Sequence, residues 1–384
     1  MSKCYAFFLI LLLAPCLLFA EGFGSNGLMH VQSAATLKPQ RLEFRTNMKF
    51  FTKVGDFLGQ AKPSNFSVVN YWDVQSNALL TYGLAEHFDA TVTNRIYQDV
   101  HNHDKEFNSP GDLFVDLKAG SFGLSNNKFN VGGMAKLRFP TGDVHNYPFE
   151  KYTAGAVEFG FTFLFSYFKD PFLPNRDLSI HANVGWYNHN DAGKTLFTRT
   201  ISDTVVQEFK AQNNATAVPW GLGVSYPTEL FDLNLELWGN HFINKPDSFA
   251  FSRENFVYIT PSIKFKPQWW INFTLGLDIR VSSDKDESTK AVSFVGHNLD
   301  LPNYPSWKLA LGMNVVLNAG AEKIQGGIGK KADIRKRVNF YERLLQEKEN
   351  TRSIEEELRR LKREREQAEK ELEELRQLLE EEGK

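Results

Sequence analysis

Cysteine is nearly absent: the 384-residue chain has two, Cys4 and Cys16. Removal of the first twenty residues would leave no thiol, which excludes a disulfide framework and a cysteine metal site from the rest. A charge imbalance is also missing. Lys and Arg number 44 against 46 Asp and Glu, a net of −2, so nothing electrostatic points to nucleic acid as a partner. After residue 20 no apolar run approaches the ~18 residues a membrane-spanning helix needs. Any membrane crossing must then be made by a closed barrel, because lipid offers no partner for an unpaired strand edge.

The first twenty residues read as a secretory signal: Lys3, the apolar run Tyr5 to Phe19 broken by Pro15, then Ala20 before Glu21. Leu13-Ala14-Pro15-Cys16 admits a second reading, a lipoprotein box with Cys16 acylated. Glu21 to Pro39 holds Gly and Ser with weak periodicity and is expected to be a lead-in segment over 21–40.

What the chain has is aromatic residues, 14% of the total, and a persistent period of two. Arg41 to Lys53 shows it best, with Leu42, Phe44, Thr46, Met48 and Phe50 on one face and Arg41, Glu43, Arg45, Asn47 and Lys49 on the other. Phe51 breaks the charged face and marks either an outer mouth or the end of the strand. The pattern recurs over Asn70–Tyr82, Phe88–Gln98, Asp112–Phe122, Phe129–Phe139, Thr153–Phe168 and Leu178–His189. It continues over Ala217–Tyr226, Phe231–Phe242, Phe256–Lys266, Ile271–Val281 and Trp307–Leu317. Connections alternate between short (GLAEH, GLSNNK, KDPFLPNRD, PTEL, KPQW) and mostly longer, polar ones. About twelve strands of this kind predict an all-β transmembrane barrel of antiparallel up-and-down strands over residues 41–318. Short turns are expected in the periplasm, long loops outside, and the first strand closing against the last. An even strand count returns both termini to the periplasm of a Gram-negative-type envelope.

Within that frame the polar face becomes a lumen wall. Its expected acids are Glu43, Asp73, Asp89, Asp112, Asp116, Glu158, Asp232, Glu236 and Asp278. Its bases are Arg41, Arg45, Lys49, Arg95, Lys118, Lys136, Arg138, Lys264, Arg280 and Lys308. Two roles are open to them: cross-strand pairs that brace the wall, or a transverse field that selects polar solutes. Tyr71, Tyr97, Phe114, Tyr187, Trp238 and Tyr258 face the same way and offer stacking surfaces, or simply fill the barrel. Trp72, Trp186, Trp220 and Trp307 fall outward at strand ends next to long loops, as an outer aromatic girdle would.

Beyond Leu317 the composition shifts. A Gly-rich linker is expected over 319–332 and a charged helix over 333–384, about 75 Å long at 1.5 Å per residue. Leu358, Leu361, Arg365, Ala368, Leu372, Leu375 and Leu379 repeat at steps of three and four, a coiled-coil seam with Arg365 as the misfit. It predicts a solvated helix, self-association, or docking on a periplasmic protein.

YGLAEHFDATVTNRIY, GDLFVDLKAGSF, KLRFPTGD and LSIHANVGWYNHND, spread over residues 82–191, resemble outer-membrane channels grouped as meta-pathway phenol-degradation proteins. The resemblance implies a transporter-like barrel, in some cases encoded beside aromatic-degradation pathways. The terminal coiled coil departs from it. LALGMNVVL near the end resembles the C-terminal signal read by barrel-assembly machinery.

Enzymatic readings are weaker. Ser179 and His181 share a face but sit about 6.6 Å apart along a strand, beyond a direct nucleophile–base bond. His101, His103 and Asp104, with His189 and Asp191 from another loop, lack a recognised metal-ligand spacing. Gly193-Lys194-Thr195 lacks the rest of a phosphate loop. No catalytic, metal or cofactor site is read. The expected function is an outer-membrane channel for small solutes, set against a scaffolding barrel that oligomerises through its coil, with a barrel-embedded hydrolase a distant third.

Overall fold

Successive side chains of a strand point to opposite faces, so alternating sequences make a sheet with two unlike sides. The computed structural model describes residues 27–55, 69–101, 105–125, 127–171, 177–202, 205–285, 287–288, 293–294, 297–298, 303–318 and 356–370. The chain divides into two units, Met1–Ala319 and Gly320–Lys384. The first contains β1 (Leu42–Gly55), β2 (Val69–Ala85), β3 (Phe88–His101), β4 (Lys105–Asn108), β5 (Leu113–Leu124) and β6 (Phe129–Phe139). Next come β7 (Glu158–Phe168), β8 (Ser179–Asn188), β9 (Thr195–Ser202), β10 (Val205–Lys210), β11 (Thr216–Pro227) and β12 (Phe231–Asn244). The unit ends with β13 (Phe256–Gln268), β14 (Ile271–Arg280), β15 (Ser293–Phe294), β16 (His297–Asn298) and β17 (Trp307–Val316).

The main sheet has thirteen strands, of which β4 is a flap paired to β3 alone. The other twelve run antiparallel and close, because β17 returns to β1 from Glu43↔Val316 to Phe50↔Leu309. These are the twelve strands the alternation predicts, and the seam lies between the first and the last. All short turns, such as 86–87 and 269–270, fall at one end, and β4, the β9–β10 hairpin, β15 and β16 at the other.

The outer face is apolar. Phe161 and Phe163 of β7 are 59% and 73% exposed and Leu235 of β12 is 50% exposed, while Thr162, Ser166 and Glu236 between or beside them are buried. Such a surface is far more apolar than a water-soluble protein tolerates.

The interior is occupied by the chain itself. Residues 27–40, expected as a lead-in ahead of the barrel, thread its lumen as a strap. Met29 packs with Leu79 and Ala310, and Ala34 with Met134 and Leu164. Inward glycines admit it. A Cβ on Gly120 would stand 2.2 Å from the Ala34 carbonyl oxygen, and one on Gly276 would stand 2.2 Å from the Met29 sulfur.

In the second unit residues 356–370 form an α-helix that is exposed throughout. Leu358, Leu361, Arg365 and Ala368 of the expected seam lie on it; Leu372, Leu375 and Leu379, most of the expected 333–384 helix, the linker 319–332 and the signal 1–20 lie outside the described residues. No helix among the described residues is long and apolar enough to cross a membrane.

Candidate functional site in the lumen

The strap is held by wall side chains whose inward direction follows from strand alternation. Glu236 of β12 accepts three backbone N–H bonds, from Met29 at 2.8 Å and from His30 and Val31 at 2.7 Å each. Asn183 accepts the Gln32 N–H at 2.6 Å, Ser166 the Ala34 N–H at 2.8 Å and Asp89 the Leu37 N–H at 2.9 Å. Lys118 donates to the Ala35 carbonyl at 2.8 Å. A strap with no regular partner strand thus has its buried amides satisfied by polar lumen residues.

His30 ties the strap to the same stretch of wall, β12 and the nearby β14. Its Nε2 lies 2.8 Å from an Asp278 oxygen, and its ring stacks on Trp238 at 3.9 Å. Burial pushes the imidazole down to about 4, outweighing the pull of Asp278.

The strap separates two chambers. One, of about 150 Å³, lies toward the long loops and is lined by His30 and Gln32 of the strap and by Lys49, Lys136, Arg138, Tyr187, Trp238 and Phe256 of the wall, among others. The second, about 280 Å³, lies toward the short turns between strap residues such as Leu28 and Thr36 and the wall residues Arg41, His181, Asp232 and Lys264.

Most of the sequence-predicted charges face inward and are paired. Glu43 meets Arg41 at 2.7 Å and Arg45 at 3.2 Å. Arg138 bridges Asp112 at 2.7 Å and Glu158 at 3.5 Å, while Lys118 reaches Asp89 at 3.6 Å. Asp232 pairs with Lys266. Lys308 donates to Asp73 at 2.8 Å and to Glu150 at 2.7 Å. Arg280 contacts Asp284 at 3.0 Å and the Tyr304 carbonyl at 2.6 Å. Arg95 sits over the Phe114 ring at 5.2 Å, and Asp116 is buried in the wall. Three cations differ: Lys49, Lys136 and Lys264 form no ion pair with any described residue.

The long-loop end is capped by residues that periodicity does not mark. Phe51 is fully buried against Phe149, with Trp307 at its edge, and β1 continues past it to Gly55. Phe51 therefore belongs to an inward cap, not to a strand end. Burial alone would raise Glu150, yet the Lys308 and Arg95 cations hold its carboxyl well below the usual range. Burial and the neighbouring Asp191 carboxylate push the Tyr152 phenol far up, so it donates to Asp191 as a neutral group. Of the girdle tryptophans, Trp186 is 39% exposed and Trp72, Trp220 and Trp307 are half-buried.

Of the two roles open to the inward rings, filling the barrel describes Trp238, sandwiched between His30 and Tyr258, the latter at 5.0 Å, and Phe114, which lies against both Arg95 and Arg138. Tyr97 presents 36% of its surface and pairs edge-on with Phe107. The side chain of Tyr71 lies outside the described set. Ser179 and His181 are in contact after all, at 3.1 Å, because their side chains lean together where their backbones do not. Ser166 accepts the Ala34 N–H and pairs with His181 Nδ1 at 2.7 Å. The imidazole is thus held by a hydroxyl at each ring nitrogen, Ser166 on one side and Ser179 on the other. This trio braces the strap. His189 contacts Glu158 at 3.4 Å and Asp191 accepts the Ala215 N–H at 2.7 Å; His103 and Asp104 lie outside the described residues.

No protein-family model matches the chain, and no curated protein matches it either. Among solved structures it is similar to the COG4313 outer membrane channel from Pseudomonas putida F1, with 11% identity, a TM-score of 0.46, and coverage of 74% of this chain and 98% of that one. It is also similar to the toluene transporter TodX of Pseudomonas putida, with 8% identity, a TM-score of 0.37, and coverage of 78% and 98%. A third is the outer membrane channel DcaP of Acinetobacter baumannii, with 8% identity, a TM-score of 0.29, and coverage of 77% and 99%.

Proposed function

We propose that the protein is an outer-membrane barrel channel for small polar solutes, closed at rest by its own N-terminal strap. The inside-out distribution of surface carries this reading: phenylalanine and leucine face out around a closed barrel, and polar groups with two chambers lie within. The lipid of an outer membrane covers the outer face, with the short turns and both termini in the periplasm and the long loops outside. Paired charges brace the wall, and the strap sets whether a path exists.

The test is conductance of purified, refolded protein in planar bilayers. The full chain should conduct little, and deletion of residues 27–40 should raise conductance severalfold. A barrel of native gel mobility that passes no current in either form overturns the reading.

A scaffolding role is a second reading, supported by the exposed Leu358 and Leu361 on the 356–370 helix. Self-association through a longer coil predicts that deleting 333–384 lowers the oligomeric state while the barrel stays folded. A monomer before and after deletion argues against it.

A further inference from the structure

The charges that line the long-loop chamber do not cancel. Arg138 is engaged by Asp112 and Glu158, and Glu150 by Lys308. Lys49 and Lys136 remain, each lining the cavity and neither paired with a described residue. A third lysine, Lys151, enters from the loop before β7, is exposed, and holds its ammonium 5.5 Å from the centre of the Trp238 ring. Lys49 and Lys136 thus line one space with no ion-pair partner among the described residues. Each keeps a strong claim on an anion where water is restricted.

The size of the space limits that anion. A cavity of about 150 Å³ is comparable to one known to hold a single benzene ring. Its wall between the lysines is largely apolar, with Pro219, Phe242 and Phe256. The aromatic faces nearby are already stacked on each other, so the ligand needs a compact apolar body but gains no open ring to lie on.

We infer that this chamber is a binding site for small organic carboxylates of up to one ring, held by Lys49 and Lys136. The inference rests on the channel reading and gives it a solute class. The lysines draw the carboxylate from the loop side and the apolar wall takes its body. The strap residues His30 and Gln32 form the floor that stops it.

Calorimetric titration of the folded, full-length protein in detergent tests this with benzoate, its neutral isostere benzamide, and acetate. Benzoate should bind at least about tenfold more tightly than either of the others. Lys49→Gln and Lys136→Gln should each weaken benzoate about tenfold and leave benzamide unchanged, while Lys49→Arg should retain binding. Heat-dependent gel mobility verifies that each variant keeps its closed barrel. Equal affinity for benzoate and benzamide, equal affinity for benzoate and acetate, or wild-type benzoate affinity in the double Lys→Gln variant overturns the inference. So does absence of benzoate binding. Because binding is read in detergent, a protein that conducts once residues 27–40 are deleted but binds no benzoate sinks this inference alone.

Discussion

Replacing Glu236 by glutamine should release the strap while leaving the barrel intact. The two side chains have nearly the same shape, so no cavity forms. The carboxylate accepts three strap amides at 2.7–2.8 Å, and hydrogen bonds to a charged acceptor are worth about 1.5–3 kcal/mol each. A glutamine oxygen can accept two of them without the charge, and its amino group points a donor at the third. Part of the loss is offset because the neutral side chain is cheaper to dehydrate when the strap seats. A net weakening of about 3 kcal/mol follows, which is roughly a hundredfold rise in the unseated population. Amide hydrogen exchange at Met29, His30 and Val31 reads this directly, and it should accelerate by that factor while amides in β7 and β12 do not change. Bilayer recordings should show longer open periods in the same variant. Unchanged protection of the three amides would refute the claim that Glu236 seats the strap.

His30 should contribute a pH-dependent share of strap seating. It is held near 4 when seated and returns to about 6.5 when free, so its protonation favours the unseated strap. That share is fully present above pH 6.5 and falls about 30-fold by pH 5. The ratio of wild-type to His30→Gln conductance across this range isolates it from the other groups that titrate there, and a ratio independent of pH would count against it. Gly120→Val should displace the strap near Ala34, since even a Cβ would meet its carbonyl oxygen at 2.2 Å. Faster cleavage of the strap by added protease reports this, and wild-type protection would contradict it. Lys308→Met leaves Asp73 and Glu150 buried without their shared cation and should cost about 3–5 kcal/mol, read as a lower barrel-unfolding temperature; an unchanged temperature rejects the assignment.

Alternation made the barrel legible from sequence, because each strand repeats one in–out rule over ten or more residues and the connection lengths segregate by end. The strap followed no such rule. Leu28, Met29, Val31, Ala34 and Leu37 are buried on all sides by a wall that surrounds them, so they carry neither period two nor period 3.6. Their complement was present but scattered: Gly120, Gly221, Gly223 and Gly276, spread over three strands, are the places where the strap approaches. Ion pairing was foreseeable as a class but not by partner, since Lys308 on β17 meets Glu150 of a loop 158 positions earlier in the chain. Which of the two roles the inward rings take was not legible, because a ring's direction can be read from parity and its neighbours cannot. The distance between Ser179 and His181 was misjudged because backbone spacing ignores the reach of the side chains.

The seam between β1 and β17 has a consequence for biogenesis. The strap lies immediately before β1, and β17 is the last strand of the sheet. Once those two strands zip together, the ring around residues 27–40 is complete and offers no lateral way in. The strap is therefore either enclosed as the ring shuts or must reptate in through an end afterwards. Enclosure makes residues 27–40 a template on which the nascent wall gathers its polar side chains. Late entry would require the same segment to shed its water inside a finished tube. Strap variants that open the finished channel should, under enclosure, also delay its assembly.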